Sequence, residues 1–220
     1  MDIKLIKKIM KILGIDEAGK GPVIGPMIIA GVMIDEKDLE KLSEMKDSKL
    51  LLHKKRIFLA EIIKKICKYH IIEVSSEVID AAILSNELNL NWLEAYKQAE
   101  IINELKPDKV FVDCPSINCS AFEKYLRNLV KNKNIEMVVE HKADFKYKIV
   151  SAASILAKVK REEEMDKIRN KYGETGSGYP ADPKTKLFLQ NNWNKHPEIF
   201  RKSWSTYKKI SEKPKQKKLF

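Results

Sequence analysis

The sequence predicts an α/β fold, in which a mixed β-sheet is flanked by helices and a small helical cap follows at the C-terminus. Short runs rich in Ile and Val alternate with longer segments of helical periodicity, in the order three strands, helices, strand, helix, strand, helix. A cluster of Gly and Pro then interrupts the chain at residues 173–180. We therefore expect one main domain over residues 1–175, and a helical cap with a basic tail over residues 176–220.

Each predicted strand is a short apolar run bounded by turn-forming residues. The first two flank a Gly/Pro turn at residues 19–22, which indicates two strands joined by a tight connection. The predicted strands are residues 12–15, 23–34, 70–74, 109–113 and 135–140.

The predicted helices carry apolar side chains three or four positions apart. Ser75 or Ser76 is a suitable cap for the second helix, and Pro107 follows the end of the third, because the residue before a proline avoids helical geometry. The predicted helices are residues 53–68, 78–84, 88–105, 121–131 and 148–172, with shorter pieces at 186–192 and 203–210.

The chain is strongly basic, with a formal net charge of +11. Such a charge favours phosphate polymers or anionic lipids as partners, although a solvated lysine-rich surface would have the same composition. No stretch reaches the roughly 18 uninterrupted apolar residues that a membrane span needs. The composition therefore favours nucleic acid over a membrane, and the motifs must decide whether the charge has a function.

Cysteine and histidine usage predicts neither a disulfide framework nor a zinc site. Cys67, Cys114 and Cys119 contain no CxxC pair, and the four histidines fall at no zinc-like spacing. Cysteines that cannot all pair with one another are typical of a reducing compartment, so we expect a cytoplasmic protein.

Four carboxylates stand where predicted strands end or a helix begins. Asp16 and Glu17 follow the first strand, Asp113 ends the fourth, and Asp144 precedes the long helix. If the first and fourth strands are neighbours, these acids converge at the sheet edge where open sheets bind ligands. Each pair of close carboxylates repels by about 4 kcal/mol at an effective dielectric near 20. Bound Mg²⁺ or Mn²⁺ would relieve this repulsion. Two such ions could catalyse phosphodiester hydrolysis, although each acid taken singly is more simply a turn residue or helix cap.

The residues from Gly14 to Lys20 also match GxxxxGK, the beginning of a phosphate-binding P-loop. Gly21 follows where that motif needs Ser or Thr to hold Mg²⁺. Asp16 and Glu17 would also direct negative charge into the phosphate cradle, so the P-loop interpretation is disfavoured.

The same segment, Asp16-Glu17-Ala18-Gly19-Lys20-Gly21-Pro22, strongly resembles the opening motif of type 2 ribonuclease H, Asp-Glu-Ala-Gly-Arg-Gly-Pro. The resemblance continues in the family's order through residues 47–49, 112–113, 143–159 and 176–185, the last in its archaeal form. It covers about residues 12–207. It implies a ribonuclease H-like fold and an endonuclease that cleaves the RNA strand of RNA/DNA hybrids and ribonucleotides embedded in duplex DNA. The expected products carry 3′-hydroxyl and 5′-phosphate ends.

The resemblance also implies the residues of the catalytic centre. Asp16, Glu17, Asp113 and Asp144 are the expected catalytic residues and ligands of Mg²⁺ or Mn²⁺. Two ions are expected when substrate is bound.

By the same resemblance, the backbone of Gly19, Lys20 and Gly21 reads the ribose 2′-hydroxyl, the group that distinguishes RNA from DNA. Glycine suits this role because the absence of a Cβ lets the main chain approach a sugar closely. Tyr179 is expected to pack on the deoxyribose that follows the ribonucleotide. Without the resemblance, a buried or turn-flanking tyrosine would be the simpler interpretation.

Two residues depart from the family pattern. Lys20 stands where the family has Arg, and Glu162 where it commonly has Asp. A main-chain reading of the 2′-hydroxyl survives the first change, although a bidentate phosphate contact is lost. Ser48, Lys49 and Lys158 are candidate phosphate contacts, with plain solvation as the alternative for each.

Residues 208–218 are rich in lysine. These lysines could hold a duplex electrostatically, or they could simply keep the terminus soluble. Residues 216–220, Gln-Lys-Lys-Leu-Phe, faintly resemble the start of a sliding-clamp binding peptide, but the sequence ends before the paired aromatics of that motif. We expect a monomer that removes ribonucleotides from DNA, or RNA primers, during replication and repair.

Two other classes of protein are compatible with the acids. A nuclease or recombinase of the same fold that cuts plain DNA would share them, but it has no use for sugar readers at Gly19, Lys20, Gly21 and Tyr179. A non-catalytic duplex-binding protein would use the acids only structurally, and Asp113→Asn would then leave its function untouched.

Overall fold

The computed structural model describes residues 9–45, 52–85 and 88–212. Its strands are β1 Lys11–Ala18, β2 Met27–Asp35, β3 Lys68–Val74, β4 Lys109–Asp113 and β5 Glu136–Glu140. They form one sheet of order β3-β2-β1-β4-β5. Because β1 pairs antiparallel with β2 and parallel with β4, the sheet is mixed, as predicted. β4 and β5 are parallel as well.

Most predicted helices are present, with ends shifted by a few residues. They are α1 His53–Ile66, α2 Ser76–Leu84, α3 Leu90–Leu105, α4 Cys119–Leu129, α5 Ala143–Lys146, α6 Lys148–Tyr172, α7 Pro183–Asn192 and α8 Ser205–Ser211. Two 3₁₀-helices, Glu36–Met45 and Pro197–Ile199, and the short α5 were not predicted. Of the helices in the described part of the chain, none combines the length and apolar character needed to cross a membrane.

The described residues form two compact units. The first takes in residues up to Ala18, Ile28–Ile72 and Asn91–Val159, and the second takes in Gly19–Met27, Glu73–Leu90 and residues from Lys160 onward. Packing alone defines these units. The functional boundary expected near residue 175 stays a prediction.

The core of the first unit is formed by apolar side chains of β1, β2, α1 and α6. Its fully buried members include Ile28, Val32, Leu59, Ile63 and Val150. Their regular spacing follows from the strand period of two and the helix period of 3.6, because each element turns one apolar face inward. This core supports the strand end at which the acids lie.

Gly14 of β1 lies so close to α6 that an added Cβ would stand 2.4 Å from the backbone carbon of Ile149. We expect Gly14→Ala to lower the free energy of unfolding by about 3 kcal/mol, because a helix backbone cannot move aside as a side chain can. Gly31→Ala is the matched control, since the nearest atoms to its Cβ belong to side chains, those of Ile101 and Leu13, and not to the backbone. Urea unfolding measures both variants, and equal losses would contradict the argument.

The second unit has its own core, which includes Val23, Ile24, Met165, Leu189 and Phe200. The predicted strand at residues 23–34 began too early, since β2 starts only at Met27. The reason is local. Gly25 has a φ of 84° and Pro26 follows it, so residues 23–26 cannot continue the ladder. The N–H groups of Val23 and Ile24 instead donate to the carbonyl of Gly178 at 2.8 and 3.3 Å.

Candidate active site

Three of the four predicted acids meet at the end of the sheet. Ile15 of β1 pairs with Val112 of β4, so the next residues, Asp16 and Asp113, leave the parallel pair side by side. Asp144 lies on α5, just after β5, the other neighbour of β4. One carboxylate oxygen from each of Asp16, Asp113 and Asp144 lies within 4.8 Å of the others.

Backbone hydrogen bonds fix two of these carboxylates. The N–H of Ala143 donates to Asp113 Oδ1 at 2.8 Å, which ties the last residue of β4 to the helix that carries Asp144. Lys142 immediately precedes Ala143, and its left-handed backbone, with a φ of 59°, turns the chain into α5. The N–H of Glu17 donates to Asp16 Oδ1 at 2.8 Å.

A pair of polar side chains on α6 supports Asp16. The hydroxyl of Ser154 hydrogen-bonds to Asp16, and the ammonium of Lys158 donates to Ser154 Oγ at 2.6 Å. Ser154 and Lys158 are four residues apart and so share one helix face. Ser154 is fully buried, and the sequence analysis assigned it no role. The sequence offered one indication of such a role: Ser154 is a polar residue among the apolar positions of the predicted helix, one turn before Lys158.

Burial, with a smaller contribution from the nearby Asp113 carboxylate, raises the pKa of Asp16 to about 7, although Ser154, the N–H of Glu17 and Lys158 act to lower it. The pocket alone therefore disfavours a full set of negative charges. A divalent cation would remove this penalty, and donors that are all carboxylate oxygens suit Mg²⁺ or Mn²⁺ better than zinc. The three aspartates thus fit the expected metal.

Other predicted residues are not part of this cluster. Glu17 is half-buried and outside the group of three, because neighbouring strand residues project to opposite faces. Its role as a ligand stays a prediction. Ser48 and Lys49 lie outside the described residues.

The loop of Gly19, Lys20 and Gly21 belongs to the second unit, where two side chains anchor its carbonyl groups. The fully buried Arg201 donates to the carbonyls of Gly19 and Lys20 at 2.6 and 2.7 Å, and Trp204 Nε1 donates to that of Gly21 at 3.1 Å. In a trans peptide, the C=O and the following N–H point in opposite directions. The N–H groups of Lys20 and Gly21 are therefore directed away from Arg201.

Tyr179 lies beside this loop within the second unit. A Cβ built on Gly21 would be 3.7 Å from its ring, and the Arg161 guanidinium carbon lies 5.0 Å from the ring centroid. Arg161 also donates to the carbonyl of Ser177 at 2.9 Å. The ring itself is 42% exposed. The structure therefore brings together Gly21 and Tyr179, which the resemblance singled out as sugar-reading residues.

Sequence reasoning missed Arg161 and Arg201. Both arginines are buried, at 8% and 0% exposure, in a chain whose abundant basic residues gave no reason to single out any of them. Arg161 directly follows the apolar positions of α6, which is a weak indication that its side chain is buried. Arg201 carried none, since its partners lie more than 170 residues earlier in the chain.

A mixed five-stranded sheet whose first, fourth and fifth strands lead to three converging aspartates defines a ribonuclease H-like hydrolase. Residues 13–207 match the family described as Ribonuclease HII. Ribonuclease HII of Thermococcus kodakarensis is 46% identical in an alignment of 217 residues that covers 95% of this chain and 93% of the relative. The chain therefore belongs to the ribonuclease HII family.

Solved structures agree with this assignment. The crystal structure of ribonuclease H2 from Pyrococcus horikoshii OT3 matches with a TM-score of 0.84 at 41% identity, covering 92% of this chain and 98% of that one. The structure of the PCNA:RNase HII complex from Archaeoglobus fulgidus matches with a TM-score of 0.79 at 41% identity, covering 89% and 95%. The predicted ribonuclease H-like fold and enzyme class, a metal-dependent endonuclease, are confirmed.

Proposed function

We propose that this ribonuclease H cleaves RNA/DNA hybrids and ribonucleotides embedded in duplex DNA by two-metal-ion hydrolysis at Asp16, Glu17, Asp113 and Asp144. The observation that carries the proposal is the convergence of three of these carboxylates within 4.8 Å. Family membership argues against a protein that only binds duplex and against a nuclease for plain DNA.

When bound, Mg²⁺ or Mn²⁺ would supply an activated water and stabilise the leaving oxygen. The protein's own groups hold the ligands in place. The hydrogen bond from Ala143 orients Asp113, and the buried Ser154 orients Asp16. Lys158 reaches Ser154 and adds positive charge beside Asp16, and we retain it as a candidate phosphate contact.

Recognition of RNA in this proposal depends on the main chain of residues 19–21. Arg201 and Trp204 bind the carbonyl groups of this loop, so its N–H groups at Lys20 and Gly21 are directed away from Arg201, and the proposal assigns them to the substrate. A ribose 2′-hydroxyl can accept from such a donor, whereas a deoxyribose cannot. The exposed ring of Tyr179 offers an apolar face on which a following deoxyribose can pack.

A duplex DNA that contains one ribonucleotide tests this assignment, with an all-DNA duplex of the same sequence as control. We expect Mg²⁺- or Mn²⁺-dependent cleavage of the first substrate at the ribonucleotide, giving 3′-hydroxyl and 5′-phosphate ends. The all-DNA duplex lacks the 2′-hydroxyl and should stay intact. Cleavage of both at similar rates would overturn the assignment. A parallel assay with a long RNA/DNA hybrid ranks the two substrates, and each metal can be compared in turn.

Further parts of the proposal concern partners and location. Ser48 and Lys49 are retained as phosphate contacts. A related ribonuclease HII is described in a complex with PCNA, which supports a sliding-clamp contact through residues 216–220 of this chain, outside the described part. We also propose a monomeric, cytoplasmic enzyme acting in replication and repair. Its three free cysteines support the reducing compartment.

A further inference from the structure

Cys114, Cys119 and His141 form a second cluster of metal-binding side chains in the first unit. Cys114 follows β4, Cys119 begins α4, and His141 follows β5. One ligand atom from each, two sulfurs and an imidazole nitrogen, lies within 4.8 Å of the others. Cys119 Sγ and His141 Nε2 are 3.3 Å apart.

The local fold holds these three side chains together. The N–H of Cys114 donates to the carbonyl of Glu140 at 3.0 Å, so the residue after β4 is fixed to the last residue of β5, next to His141. Asn118 caps α4 by accepting from the N–H of Ala121 at 3.0 Å, which fixes the position of Cys119. The cluster therefore depends on regular strand and helix ends rather than on one loose loop.

We propose that Cys114, Cys119 and His141 bind a thiophilic divalent cation of the Zn²⁺ type, with a fourth coordination position open to water. In a tetrahedral zinc site with Zn–S near 2.3 Å and Zn–N near 2.0 Å, neighbouring ligand atoms are about 3.6 Å apart. The 3.3 Å between Cys119 Sγ and His141 Nε2 is close to this value, and every pair of ligand atoms lies within 4.8 Å, so side-chain rotations can complete the geometry. Two thiol protons pass to solvent as the cation binds.

The chemistry of this site differs from that of the aspartate cluster. Thiolate and imidazole select zinc-like cations, whereas a carboxylate set suits Mg²⁺ or Mn²⁺. Cys114 is 7% exposed and His141 is exposed, so a cation can enter from the side of the imidazole. The sequence alone did not imply zinc, because its cysteines form no CxxC pair and its histidines fall at no zinc-like spacing.

Binding would connect the ends of β4 and β5 to the start of α4. These strand ends lead directly to Asp113 and Asp144, so the cation would stiffen the backbone that carries two catalytic acids. We therefore expect Zn²⁺ to raise the thermal unfolding midpoint of the metal-free protein. This effect does not depend on ribonuclease activity, and its failure leaves the proposed function untouched.

Cobalt(II) titration of the full chain tests the proposal, because Co²⁺ in a tetrahedral thiolate site has thiolate-to-cobalt charge-transfer bands and intense d–d bands, whereas octahedral carboxylate ligation gives only weak d–d absorption. The protein is kept under a non-thiol reductant with excess Mg²⁺ to fill the acidic site. We expect thiolate bands that saturate at a single Co²⁺ per chain and disappear when Zn²⁺ is added. Absence of these bands in the wild-type protein would overturn the proposal.

Four variants make the assignment specific. Cys119→Ser and His141→Ala should lose the bands and the Zn²⁺-induced rise in unfolding temperature, and His141 is exposed enough for its variant to fold normally. Cys67→Ser, a change at the third free cysteine, and Asp113→Asn should retain both. Bands that survive in His141→Ala and Cys119→Ser, or that vanish in Cys67→Ser, contradict the site.

Discussion

Asp113→Asn is expected to abolish metal-dependent cleavage and leave the fold and duplex binding intact. Asn keeps an oxygen that can accept from Ala143 N–H, as Asp113 does at 2.8 Å. Its amide nitrogen then points toward Asp16 and Asp144, where it cannot bind a cation. We expect kcat to fall by about 10³-fold or more, which corresponds to about 4 kcal/mol of barrier. Single-turnover cleavage of the ribonucleotide-containing duplex measures the loss.

The same change should not destabilise the metal-free protein. Asp113 repels the buried Asp16 and contributes to its raised pKa, so removing one charge relieves repulsion. Thermal unfolding without metal should therefore give an equal or higher midpoint. Asp108→Asn is the control, because Asp108 adjoins the opposite end of β4 and accepts from Lys11 N–H. Full cleavage activity in Asp113→Asn would contradict the role of Asp113 as a metal ligand.

The position of Asp113 beside Asp16 could be predicted from sequence only on the condition that β1 and β4 are neighbours, and the structure supplies that condition. Once β1 and β4 pair in parallel, residues at their carboxyl ends meet whatever the loops do. The bounds of β4 and α6 were also predicted correctly, since the apolar run of β4 stops at Asp113 and the Gly/Pro cluster that begins at Gly173 follows α6 directly. Local pattern and global packing agree at these places.

Contacts between distant segments could not be predicted in the same way. No local pattern indicates that the polar Ser154 faces Asp16, or that Cys114, Cys119 and His141 meet after β4 and β5. These positions follow from the mutual packing of elements, which single-sequence periodicity does not encode. Motif spacing is informative only where one loop or helix supplies all the ligands, as in CxxC.

The contacts of Arg201 with a loop far away in the sequence could not be predicted either. Its replacement is expected to have a large effect on stability and on recognition of RNA. Its guanidinium is fully buried and donates to the carbonyls of Gly19, Lys20 and Gly25 at 2.6 to 3.1 Å. Arg201→Met fills a similar volume but removes the side-chain donor of the Gly19 and Lys20 carbonyls, whereas the Gly25 carbonyl still accepts from Ser76 Oγ at 3.3 Å. Since each unsatisfied buried carbonyl costs about 1 to 3 kcal/mol, we expect the free energy of unfolding to fall by on the order of 4 kcal/mol. Urea unfolding measures it.

The consequence for function should be a loss of discrimination as well as of stability. Without Arg201, the peptide planes of the loop at Gly19 and Lys20 are free to rotate, and the N–H groups no longer hold one direction. Under conditions where the variant remains folded, cleavage at a single ribonucleotide should fall much more than binding to all-DNA duplex. Arg201→Lys should retain part of the cleavage activity that Arg201→Met loses, because an ammonium can still donate to two carbonyls. Lys202→Met, at the exposed neighbouring position, should behave as wild type. Equal losses in cleavage and in plain duplex binding would mean that Arg201 only stabilises the fold, and the direction of the loop N–H groups would then have no part in recognising RNA.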